Sequence, residues 1–427
     1  MNARPKTRPV NRERNAPTPQ LPRGAKQIVI PMTQTQYHDL WHQADRLRSF
    51  VAEWAEAASE LFPPGFDQGY DLHGFGRESR KLPGVKLRKI VLADGTSYWL
   101  RPSFVTGYMT GTVDQLTFPL LLASHGVPPW LLKIGFGHSE MYWYRIIERL
   151  GRTSLVGATI RDPARLPENL TADEHHADWA GQKGYIATTV GGGCILGVAL
   201  TSSADDAHLQ EAYGVFAAEA RDVEPEYAPK TVNTDGWAAT RNAFQSLFPL
   251  IAAVLCFLHG FLKIRDRCRN AHDLHRRVWD VYRAAGAAEF RRRMNELRQW
   301  CDTQTWTASM REMLTKLWNK TESYMVAYDH PGCHRTSNAV DRLMNRLYRL
   351  IYAGRGLHGH QGSSELRLRG WGLLMNFRPY APRGKSPRAF DSPAHRLNGK
   401  RYHEHWLHNL MASTSLMAFR NPKPAIR

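Results

Sequence analysis

Between residues 171 and 260 the chain alternates β-rich and helical segments, and this order constrains the fold more than any other feature of the sequence. Two β-rich runs, GYIATTV (184–190) and CILGVAL (194–200), are separated by Gly191-Gly192-Gly193. A helical stretch follows, DDAHLQEAYGVFAAEA, with Leu209, Tyr213, Phe216 and Ala217 on one side. A short strand, KTVNTD, ends at Asp235. The helix GWAATRNAFQSLF stops at Pro249, and IAAVLCFL reads as a buried strand. With a strand around Asp173 the order is strand, strand, strand, helix, strand, helix, strand. That order predicts an α/β layer arrangement around a mixed sheet.

The flanking regions divide the chain further. Residues 1–26 are rich in Arg, Lys, Pro and Asn, and predict a disordered basic arm. In 27–110, apolar residues from Tyr37 to Leu61 recur at three- and four-residue steps, which predicts one helix ending before Pro63-Pro64. LRKIVLADGTSYWLRPSF predicts a β-hairpin, with Asp94-Gly95 as the two positive-φ residues of a type I′ turn. Residues 111–165 carry the punctuation of a helix-turn-helix. Leu116 to Ala123 stops at Gly126, Pro128-Pro129 opens a second helix, and Ser139 caps a third, SEMYWYRIIERL. Such a unit suits major-groove docking, with Tyr142, Arg145 and Arg149 toward DNA, although helical hairpins that touch no DNA share its spacing. Residues 166–264 and 331–365 form the predicted α/β core. Three apolar stripes in 265–330 predict an all-helical insertion, and 366–427 reads as a basic tail with few periodic segments.

Charge narrows the partners. The 427 residues carry 57 Lys plus Arg against 39 Asp plus Glu, a formal net charge of +18. That surplus points to a polyanion. A membrane is the weaker candidate, because the longest apolar run, Phe248 to Leu258, falls short of the roughly 18–20 residues that span a bilayer. The N-terminus lacks the apolar stretch of a secretory signal, and the five scattered cysteines include no Cys-x-x-Cys pair. A reducing cytoplasm is the expected compartment.

Three carboxylates stand out in this frame: Asp173 in LTADEHHADW, Asp235 in VNTDGW, and Asp341 in HRTSNAVDRLMNRLYRLI, a helix that Thr336 or Ser337 can cap. Carboxylates at the ends of adjacent strands, joined by one from a packed helix, suit divalent metals. Two such ions roughly 3.5–4 Å apart can drive an in-line displacement at phosphorus. Glu322 is an alternative third acid. Glu174 is a weaker alternative first one, since neighbours on a strand face opposite ways.

The stretch from Asp173 to about Arg355 resembles the catalytic domain of bacterial insertion-sequence DDE/DDD transposases related to the Mutator-like group. NTDGWAATRNAFQSLFPLIAAVLCFLHG is similar to that family's second-aspartate block, including its Cys-x-x-His pair, here Cys256 and His259. RTSNAVDRLMNRL resembles its last block, where the family usually has glutamate and this chain has Asp341. The resemblance implies an RNase H-like core, two Mg2+ (or Mn2+) ions on Asp173, Asp235 and Asp341, and nicking followed by strand transfer. It implies double-stranded DNA partners, both terminal inverted repeats and target. A homodimer or larger assembly on the bacterial nucleoid follows, because two ends must be joined. His259, Arg335, Arg342 and Arg346 are expected near DNA. Zinc on Cys256, His259, Cys333 and His334 lacks the spacing of a four-ligand site. No nucleophilic triad or phosphate-binding Gly-rich loop is evident. An RNase H-fold nuclease, or a domesticated non-catalytic DNA-binding protein, remains as a rival reading.

Overall fold

The computed structural model describes residues 23–354, 356–382 and 389–418. They form a mixed α/β fold with two mixed sheets and many helices. Among these residues no helix is long and apolar enough to cross a membrane.

The first sheet runs β1-β4-β3-β2, from β1 (Gln27–Ile30), β2 (Tyr70–Phe75), β3 (Arg88–Leu92) and β4 (Ser97–Pro102). Two helices, α1 (Gln34–Leu40) and α2 (Ala44–Ala57), pack Tyr37, Leu47 and Val51 into its core. Three sequence expectations change here. The expected arm does not extend to residue 26, because Arg23–Lys26 form a 3-10 turn leading into β1; residues 1–22 lie outside the described residues. The single helix over 37–61 is two. Trp41 is fully buried, its indole N–H donates to the Lys86 carbonyl at 2.7 Å, and the chain re-enters a helix only at Ala44. This is tertiary packing overriding a local period. In the hairpin only Gly95 has positive φ (83°), and the loop spans 93–96. Leu92 N–H donates to the Thr96 carbonyl and Gly95 N–H to the Leu92 carbonyl. Asp94 instead accepts from Thr96 N–H at 2.7 Å, so the turn is longer than type I′.

Next come α3 (Val113–Ser124), α4 (Pro129–Phe136), α5 (Glu140–Leu150) and α6 (Leu155–Thr159). Their starts follow local chemistry. Thr112 and Gln115 form a capping box, proline occupies the first turn of α4, and the Ser139 hydroxyl accepts from Tyr142 N–H at 3.2 Å.

The second sheet has order β7-β6-β5-β8-β9: β5 (Asn169–Trp179), β6 (Gln182–Gly191), β7 (Cys194–Thr201), β8 (Thr231–Thr234) and β9 (Ala252–Leu255). The β7-β6-β5 pairs are antiparallel and the β5-β8-β9 pairs parallel. On one face lie α7 (Asp206–Val223) and α8 (Ala238–Leu247), which bury Tyr213, Phe216 and Phe244 with Leu170, Ala172 and Ala187. After β9 the chain forms α9 (Phe257–Arg267), α10 (His272–Tyr282), α11 (Ala287–Asp302), α12 (Ala308–Asn319) and α13 (Thr321–Asp329), with a separate core around Phe257, Leu274, Phe290 and Leu314. α9 thus belongs with the helical insertion. The opposite face of the sheet is covered by α14 (Asn338–Ala353) and α15 (Gln361–Phe377), then α16 (Pro393–Asn398) and α17 (Trp406–Ser413) complete that layer.

α15 corrects the expectation of a loose tail from 366 onward. Residues 367–377 are buried without interruption. A helix buried all round has no polar stripe, so it leaves no amphipathic period to detect. Asn376 ties it to β7, accepting from Ile195 N–H at 2.8 Å and donating to the Ile195 carbonyl at 2.7 Å. Two glycines allow α5 and α15 to touch backbone to backbone. A Cβ at Gly370 would lie 1.9 Å from the Ile147 carbonyl oxygen, and one at Gly151 1.8 Å from that of Leu366. Gly370→Ala is expected to force these helices apart and cost about 2–3 kcal/mol in a urea melt. An unchanged midpoint would show that the crossing yields freely.

Candidate active site

Strand register brings two of the three aspartates together. Asp173 lies opposite Thr188 on β6, sharing a face with Ile186 and Val190, which pack into the layer containing α14 and α15. Glu174 lies opposite Ala187 and points to the other face, where its Oε1 accepts from Tyr213 (2.5 Å) and Thr240 (2.6 Å). The parallel register pairs Thr171 with Asn233. Two residues further on, it sets Asp173 beside Asp235, the first residue after β8. The β8–β9 pairing of Thr234 with Leu255 likewise carries Cys256 up to Asp235. Asp235 therefore follows the carboxyl end of β8, a common place for sites in α/β sheets, and Asp173 lies level with it midway along β5.

Asp341 approaches from the first turn of α14. Ser337 occupies the N-cap position but makes no side-chain cap bond. Its hydroxyl instead donates to Asp341 Oδ2 at 2.8 Å, lies 3.3 Å from Cys256 Sγ and 3.5 Å from His259 Nδ1, and its N–H donates to Cys256 Sγ at 3.2 Å. Cys256 is itself the N-cap residue of α9 and not a strand residue, so the Cys-x-x-His pair turns on a helix start. Phe257 N–H donates to the Arg335 carbonyl at 3.2 Å, which further joins the start of α9 to the segment before α14.

The electrostatics show how close the groups are. Burial raises the Asp173 pKa to about 7, and the charges of Glu174, Asp235 and Asp341 add to it, while His259 opposes. The Cys256 thiol interaction raises His259 to about 9 against its burial, with Asp341 and Asp173 contributing, so the imidazole is cationic at neutral pH. Burial pushes the Cys256 thiol up, but hydrogen bonds from His259 and Ser337 outweigh it and the net shift is downward. Because folded Asp173 holds its proton more tightly than the unfolded carboxyl, its contribution to stability is complete below about pH 4 and is lost as pH rises through about 7. With a chelator present, Asp173→Asn is therefore expected to be more stable than the parent by about 1–2 kcal/mol at pH 8, with a smaller gain at pH 5. A variant no more stable at pH 8 would contradict the crowding of the carboxylates.

Around the acids the surface is cationic. A cavity of about 150 Å³ beside Asp235 is lined by His259, Lys263, Lys316 and Lys320. Trp237, two residues after Asp235, is exposed, a feature the sequence argument overlooked although an aromatic next to a strand-end acid was visible. Also overlooked were Thr171, Thr188 and Asn233. They lie on or beside the Asp173 face and bury side-chain polar atoms that have no hydrogen-bond partner among the described residues.

The other expected residues are scattered. Arg342 and Arg346 are exposed on α14. Arg335 is occupied: it donates to the Tyr282 carbonyl and Tyr328 hydroxyl, both at 2.6 Å, and lies over both rings. Glu322 is exposed on α13 and accepts from Arg291 at 2.8 and 2.9 Å. On α5, Arg145 is exposed, the Tyr142 hydroxyl donates to the Thr110 carbonyl at 3.0 Å, and half-buried Arg149 lines a cavity. Cys333 Sγ donates to the Ala327 carbonyl.

No three His, Cys, Asp or Glu side chains among the described residues stand so as to hold a metal ion. The donor chemistry nonetheless fits a hard divalent cation: three carboxylates whose mutual repulsion is felt at Asp173, above unpartnered buried oxygens. Comparison with protein-family models finds no match, and comparison with curated proteins finds no significant one.

Proposed function

We propose that the chain is a DNA transposase of the DDE/DDD kind, acting through an RNase H-like core. The observation that carries this is the meeting of Asp173, midway along β5, with Asp235, just past the end of the adjacent parallel strand β8, in the field of Asp341 from the start of α14. Three antiparallel strands continued by two parallel ones, in the order β7-β6-β5-β8-β9, support the core assignment. The sequence resemblance around Asp235 and Asp341 supports the family.

Asp173, Asp235 and Asp341 would hold two Mg2+ or Mn2+ ions. When bound, those ions supply the Lewis acidity that in-line displacement at a phosphodiester requires. The chain's own residues do the rest. Ser337 orients the Asp341 carboxylate through its 2.8 Å hydrogen bond. Protonated His259 balances the acids. The lysines beside Asp235, with Arg342 and Arg346, face phosphates, and exposed Trp237 offers a ring on which an unstacked base can rest. Water cleaves the element end, and the freed 3′-OH attacks target DNA without a covalent protein intermediate. The α3–α5 unit binds end sequences, with Arg145 the outward residue of the three expected there. Two ends must be held together, so a dimer or larger assembly is the working form.

The test uses purified full-length protein, Mg2+, and labelled DNA from the inverted repeats that flank the gene. End-specific nicks followed by strand-transfer products, both lost with a chelator, are the expected result. Cleavage without end preference would indicate a nuclease. Salt-sensitive binding without cleavage would indicate a non-catalytic DNA-binding protein.

A further inference from the structure

A second site lies away from the acids, between the first sheet, α3, α5 and the segment following α17. It is a cavity of about 180 Å³. Two guanidinium groups line it, Arg101 from β4 and Arg149 from α5, with the threonines 106, 110, 153 and 414, and no Asp or Glu lines it among the described residues. Arg101 decides the chemistry. It is 3% exposed and forms no ion pair with any carboxylate among the described residues. Its terminal nitrogens donate to the Val105 carbonyl and to the Thr414 hydroxyl, and its Nε has no partner among the described residues. Burial lowers its pKa to about 10, so it remains charged at neutral pH.

Holding a cation out of water with no opposite charge beside it is costly. Proteins retain one where an anion supplies the missing charge. Apart from Gln27 the rest of the wall is apolar, with Leu120, Ile146, Leu150 and Met411, so the occupant has an apolar body as well as an anionic head. The near-complete burial of Arg101 excludes the backbone of a DNA duplex, which cannot enter a space of this size.

We propose that this cavity binds a small organic oxyanion, a carboxylate or phosphate monoester with a compact apolar body, whose head pairs with Arg101. The site ties the N-terminal sheet to α5 and the C-terminal segment, and the proposal does not depend on the catalytic reading.

Calorimetric titration of the full chain with phenyl phosphate, benzoate and inorganic phosphate tests it. About 0.5 M salt screens the surface lysines and arginines. Phenyl phosphate or benzoate is expected to saturate one site per chain, about tenfold tighter than inorganic phosphate. Arg101→Gln is expected to weaken it by about tenfold to a hundredfold, and Arg101→Lys by less, because lysine cannot present the planar fork. Ile146→Phe fills the cavity and abolishes binding while keeping the guanidinium, which decides the matter if the Arg101 variants do not fold. No saturable heat with any probe up to about 10 mM, or equal affinity in Arg101→Lys and Ile146→Phe, overturns the proposal.

Discussion

Asp235→Asn is expected to lower end nicking and strand transfer on the order of a thousandfold, about 4 kcal/mol of barrier, while leaving DNA affinity and its salt dependence unchanged. The substitution keeps the side chain's shape, and the amide oxygen can still accept the 2.8 Å hydrogen bond from Trp237 N–H. Asp235 is only partly buried and follows a strand whose four residues are all buried, so the fold does not rest on its charge. What it loses is one anionic oxygen toward a divalent cation. Glu322→Gln is the control: its carboxylate pairs with Arg291 on the insertion, and nicking is expected to continue at the parent rate. Full activity in Asp235→Asn would remove the site assignment, whereas loss of activity in Glu322→Gln would move the third acid to α13.

Glu219→Ala is expected to lose about 3–5 kcal/mol in urea unfolding. Glu219 on α7 is 7% exposed and pairs with Arg369 on α15, itself 6% exposed. The same carboxylate accepts from the Ser154 hydroxyl at 3.1 Å and from the N–H groups of Leu155 and Val156 at 2.7 and 3.1 Å, so it also caps α6. Arg369 in turn donates to the carbonyls of Gly151 and Thr153 at 3.0 and 3.2 Å. One buried pair thus links helices on both faces of the second sheet. Removing one partner strands the other charge in the interior. Glu219→Met with Arg369→Met is expected to recover part of the loss, because neither charge is left alone. A Glu219→Ala cost below about 1 kcal/mol would show that water reaches the guanidinium.

Neither Glu219 nor Arg369 drew notice in the sequence, since a lone Glu or Arg on a helix is ordinarily solvated. The same limit hid α15, whose apolar residues surround it, and the buried threonines and Asn233 beneath the acids. Caps were easier. Pro128-Pro129 and Ser139 act on the backbone within three residues, so the starts of α4 and α5 follow from short-range chemistry. Ser337 shows where that logic stops: it stands at a cap position, yet its hydroxyl is drawn to Asp341 and Cys256, which only folding brings near.

By itself the sequence determined the alternation of strands and helices around 171–260, the surplus of positive charge, and the separation of Asp173 from Glu174 onto opposite faces. These depend on residue periods and local sterics. The tertiary structure alone decided the parallel register that sets Asp173 beside Asp235, the turn of Cys256 and His259 onto α9, the burial of 367–377, and the enclosure of Arg101. Each of these depends on contacts between residues far apart in the chain, whose energies no local pattern records.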